Sequence, residues 1–73
     1  MESKYVIITE WHDNSYIITE CLDDKDYKKQ LKLMKGIKDI KNIACYKERL
    51  YNIGYELIYK RKNGIESWYG KNE

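Results

Sequence analysis

Four residues near the start of the chain hold the groups of nucleophilic catalysis: His12, Asp13, Ser15 and Cys21. An imidazole base, a carboxylate to orient it and a hydroxyl or thiol nucleophile would suffice for acyl transfer if they met within hydrogen-bond reach. Their spacing argues against it. His12 falls in a cluster of turn-forming residues, and Cys21 lies several residues down the following strand-like run. A lone histidine in a turn is more simply a solvated polar group, so no catalytic residue is expected and the chain does not read as an enzyme. Cys21 and Cys45 match no metal-ligand spacing and have one histidine to help them, so they read as small, reduced, half-buried hydrophobes. The acids at 10, 13, 20, 23, 24 and 26 lack the spacing and central glycine of a calcium loop, and helix capping accounts for the last of them better. Neither a metal nor a cofactor is expected.

What remains is a surface chemistry. The first 26 residues carry seven acids and two lysines, whereas the remaining 47 carry five acids and twelve Lys or Arg. The chain thus swings from −5 to +7 around a net charge of +2. The basic part also holds seven of the ten aromatic residues: Tyr27, Tyr46, Tyr51, Tyr55, Tyr59, Trp68 and Tyr69. Such an asymmetry points to a polyanion or an acidic partner. Lys, Ile, Asn and Tyr supply 35 of the 73 residues. All four have AT-rich codons, so part of the lysine excess reflects coding in an AT-rich genome, such as a low-GC bacterium or its phage.

The elements that would position these groups are legible in outline. Residues 4–11 and 15–22 are β-branched and aromatic, and Ile-Ile-Thr-Glu recurs at 7–10 and 17–20. With His12-Asp13-Asn14-Ser15 between them, an antiparallel hairpin over 4–22 is expected, with Trp11 opposite Tyr16. Tyr5, Ile7, Trp11, Tyr16 and Ile18 would share one of its faces, and Val6, Ile8 and Ile17 the other. Asp23 caps a helix whose apolar stripe is Tyr27, Leu31, Met34 and Ile37, with Lys28, Lys29, Lys32 and Lys35 on its wet side. Residues 37–46 fit a continuing helix or a short strand equally well. Lys47 to Gly54 reads as a second short helix stopped by a left-handed glycine, so the helical segment spans 24–53.

Asn63-Gly64 between two strand-like runs is a strong hairpin signal. A two-residue turn there puts Tyr59 opposite Trp68 and Arg61 opposite Glu66 in a hairpin over 55–69. The expected fold is one small α+β domain of ββααββ order, an antiparallel sheet of two hairpins packed on helices. In the last hairpin Tyr55, Leu57, Tyr59 and Trp68 would face the helices. Ile58, Lys60, Lys62, Ile65 and Tyr69 would face outward and form the binding surface.

A 73-residue chain supports only a small core, which favours a binding surface over a deep catalytic pocket. With 42% hydrophobic and 36% charged residues, it reads as an ordered globular domain. Its beginning lacks the pattern of a secretory leader and no stretch is long enough to span a bilayer, so a cytoplasmic protein with no membrane partner is expected. The leading expectation is a small protein-binding module, such as a phage or mobile-element inhibitor that covers a surface of a larger host protein, with self-association into a homodimer as a further use of the same apolar surface. The alternative is a nucleic-acid-binding protein, with bases stacked on the aromatic rings of the last hairpin and its lysines on phosphates.

Overall fold

In a computed structural model, which describes residues 4–49 and 53–69, the described residues form one helix and five strands. Their order is β1 (Tyr5–Trp11), β2 (Tyr16–Cys21), α1 (Asp24–Lys35), β3 (Ile40–Glu48), β4 (Tyr55–Lys62) and β5 (Ile65–Trp68). The strands make a single antiparallel sheet in the order β2-β1-β3-β4-β5. The α+β class agrees with the sequence reading; the ββααββ order with two helices does not.

The first hairpin closes through a three-residue loop, not the longer one expected. Trp11 N–H donates to the Ser15 carbonyl (2.9 Å) and Asn14 N–H to the Trp11 carbonyl (2.8 Å). Asn14 takes the left-handed conformation (φ 70°) that ends such loops. The Asp13 carboxylate accepts from both the amide and the hydroxyl of Ser15, which fixes the turn. Tyr16 therefore pairs with Glu10 and not with Trp11. A register one residue away moves every β2 side chain to the opposite face. Tyr16 and Ile18 consequently join Val6 and Ile8, while Ile17 joins Thr9.

Helix α1 begins as the sequence implies. The Asp23 side chain accepts from the Asp26 amide at 2.7 Å. Asp24 and Asp26 sit in the first turn and Lys32 and Lys35 in the last, each at the end of the dipole that favours its charge. Gly36 caps the helix, so Ile37 lies beyond it and is exposed. The helix covers one face of the sheet. There Tyr5, Ile7, Cys21, Ile43, Cys45, Tyr59 and Ile40 are buried with Tyr27, and Trp11, Leu31, Met34 and Ile58 pack around them. The Tyr5 and Tyr27 rings stack with centroids 4.5 Å apart, a pair that contributes about 1 kcal/mol beyond its buried area. At the other end of the helix, Lys35 pairs with Glu66 at 3.1 Å and lies 4.8 Å from the Tyr59 ring centroid.

Among the described residues no second helix forms. Residues 40–48 are the central strand, paired with β1 on one side and β4 on the other. Ile37, Ile40, Ile43 and Ala44 mimic a helical stripe, but two strands stand ready to satisfy this segment's backbone groups, and Ile43 and Cys45 fill the core in strand alternation. Gly54 does adopt positive φ (112°), in the β3–β4 connection, where its carbonyl accepts from the Arg49 amide. Leu50, Tyr51 and Asn52 of the expected helix lie outside the described residues. The last hairpin follows the expected register: Asn63 (φ 55°) and Gly64 (φ 80°) make the turn, Tyr59 faces Trp68 and Arg61 faces Glu66.

Candidate functional site

A helix on one face of a five-stranded sheet leaves the other face open. Cross-strand partners share a face, so the register gives the composition of that surface in three rows. The first row runs Tyr16, Glu10, Asn42, Lys62 and Ile65. The second runs Ile18, Ile8, Ala44, Lys60 and Ser67. The third runs Glu20, Val6, Tyr46 and Leu57. Val6, Ile8, Ala44, Tyr46 and Leu57 are half-buried by their neighbours alone. Towards the edges Tyr16, Ile18 and Ile65 are 64%, 67% and 71% exposed. A shallow trough of about 280 Å³ runs along the face, between Ile8, Glu10 and Tyr16 on one side and Leu57, Lys60 and Lys62 on the other.

The polar groups within this face are organised. Asn42 donates its side-chain amide to Glu10 Oε1 at 2.8 Å, and its Oδ1 accepts from the Asn63 amide at 3.2 Å. That hydrogen bond from Asn42, helped by the nearby Lys41 and Lys62 charges, holds the Glu10 carboxyl below the ordinary glutamate range. The charge swing along the sequence thereby becomes a direction in space. Glu10 and Glu20 lie on the β2–β1 side of the open face, Lys60 and Lys62 on the β4 side, with apolar residues between and around them.

Of the five residues expected to bind, Lys60, Lys62 and Ile65 stand on this face. Ile58 does not. A bulge in β4 pairs Cys45 with Tyr59 but Tyr46 with Leu57, leaving Ile58 as the extra residue. It packs against the core, and Leu57, expected to face the helix, takes the open side. Tyr69 lies just beyond β5, exposed, its amide bonded to the Ile58 carbonyl. The sequence reading missed Tyr16, Ile18 and Tyr46 as members of the surface. The one signal available for the first two was Asn14, a residue suited to the left-handed end of a three-residue loop.

His12 and Cys21 are not brought together. His12 is exposed at the loop and Cys21 is fully buried opposite Tyr5, about seven residue rises away, or roughly 23 Å along the strand. Cys45 is also fully buried, and burial pushes its thiol up to about 11, which makes it a poor nucleophile near neutral pH. Among the described residues no group of three or more His, Cys, Asp or Glu side chains is placed to hold a metal ion. No helix among them is long and apolar enough to cross a membrane. Comparison with protein-family models, with curated proteins and with solved structures returns no match.

Proposed function

We propose that this chain is a protein-binding module that works by covering a surface of a larger protein, in the manner of an inhibitor, and that it docks through the open face of its sheet. The observation that carries this reading is the contiguous set Val6, Ile8, Tyr16, Ile18, Ala44, Tyr46, Leu57 and Ile65, on the side of the sheet opposite the helix. A face of apolar residues and tyrosines with a few charges set among them has the composition of an interface, whose energy resides in the apolar anchors. No catalytic step is part of this reading.

The nucleic-acid alternative draws on Lys60 and Lys62, but Glu10 and Glu20 share their face and would repel phosphates. Two helix lysines are also paired, Lys28 with Asp24 (3.0 Å) and Lys35 with Glu66. Affinity capture from a lysate of the source organism, with and without nuclease, tests the reading. The expected result is a protein whose capture survives nuclease and moderate salt and is lost with I18E. Capture that nuclease abolishes and that falls steeply with salt would support nucleic acid instead.

A further inference from the structure

We infer that in the free protein the open face is covered by a second copy of the chain, related by a two-fold axis that runs along β3. This inference rests on reading the face as a docking surface. It follows from the order of residues within each row. Two sheets packed face to face with strands aligned can be related by a two-fold axis lying between them and parallel to the strands. Such an axis leaves each row at its own level and exchanges the β2 edge of one copy with the β5 edge of the other.

Applied to the first row, the exchange sets Glu10 over Lys62 and Tyr16 over Ile65 of the other copy, with Asn42 meeting its equivalent. In the third row Val6 meets Leu57 and Tyr46 meets Tyr46. In the second row Ala44 meets Ala44, the smallest side chain of the face at its centre, where the two backbones approach most closely. Ile8 falls under the stem of Lys60, whose ammonium reaches from there towards Glu10. The axis perpendicular to the strands would instead lay β2 on β2 and β4 on β4, with Lys60 on Lys60 and Glu10 over Val6, so that neither acid meets a lysine. The separation of Glu10 and Glu20 from Lys60 and Lys62 across the sheet thus selects one symmetry and makes the surface complementary to itself.

The face measures roughly 20 by 24 Å from strand spacing and rise. A face-to-face pair covers on the order of 1,000 Å² in total, at the lower limit of a specific interface. The dimer is therefore weak, and a tighter heterologous partner displaces it.

Because Ala44 lies on the axis, it carries the test. Sedimentation equilibrium of the whole chain should show a monomer–dimer equilibrium for the wild type. A44E alone and A44K alone should each be monomeric, their dissociation constants raised about a hundredfold by like charges brought together. An equimolar mixture of the two should dimerise again. Where either variant is poorly folded by circular dichroism, the exchange of Glu10 and Lys62 gives the same information: E10K and K62E each weaken association, and E10K/K62E restores it. A wild type that stays monomeric at millimolar concentration, a dimer indifferent to A44E, or a mixture that fails to recover would each overturn the inference. If the wild type is monomeric yet still captures a larger protein in a way lost with I18E, the dimer is wrong and the docking face stands. If I18E leaves both capture and self-association unchanged, the docking face itself is wrong.

Discussion

At the scale of residues, the two faces of the sheet make isoleucine mean two different things. Ile7 is fully buried under the helix, whereas Ile18, in the same repeated tetrapeptide, is largely exposed. Ile7→Ala should cost about 2–5 kcal/mol of folding stability, the range for truncating a buried aliphatic side chain. Ile18→Ala should change the stability of the monomer by less than about 0.5 kcal/mol, and urea denaturation at low protein concentration measures both.

The tyrosines of the core set the alkaline limit. Burial is the main cause raising the phenols of Tyr5, Tyr27 and Tyr59, and Glu66, which accepts from Tyr59 Oη at 2.6 Å, raises the last further. The folded state therefore holds these protons more tightly than the unfolded chain. Their contribution is fully present below the ordinary phenol pKa of 10.0 and is lost as pH rises above it. Stability followed across that range should fall together with the growth of tyrosinate absorbance, and Tyr59→Phe should make the fall shallower. That these tyrosines are core residues was only partly readable: Tyr27 and Tyr59 announce themselves by periodicity, but nothing local distinguishes buried Tyr59 from exposed Tyr55.

At the scale of elements, what the sequence reveals is what local chemistry decides. Asn63-Gly64 requires two consecutive positive φ values, and few pairs accept them as readily, so the β4–β5 turn and its register were legible. Gly64→Val, at φ 80°, should destabilise the fold by about 1–2 kcal/mol, visible as a lowered denaturation midpoint with the contact between residues 59 and 68 kept in the folded fraction. The helix start was legible for the same reason, since Asp23 caps its own neighbours.

β3 was not legible, because its partners are distant in sequence. Its apolar residues fit a helix as well as a strand until β1 and β4 present their edges. The β4 bulge was hidden too. One extra residue at Ile58 reverses which of its neighbours face the helix, and no residue type marks the position. The expected binding surface consequently kept Lys60, Lys62 and Ile65, lost Ile58 to the core and lacked the half contributed by β1, β2 and β3.

At the scale of the whole molecule, the sheet order turns a pattern in sequence into a pattern in space. β2 and β1 bring Glu10 and Glu20 to one side of the open face, and β4 brings Lys60 and Lys62 to the other. The helix, the other large surface, meets solvent mainly through Lys28, Lys29 and Lys32, with Leu33 exposed beside them. The two surfaces make opposite predictions about where a partner sits. Chemical-shift mapping of the labelled chain bound to the protein it captures separates them most directly. The account predicts that the methyl signals of Val6, Ile8, Ile18, Ala44 and Leu57 shift or broaden, while those of Leu31 and Met34 beneath the helix stay in place. Perturbations confined to α1, with the open-face methyls unchanged, would contradict it.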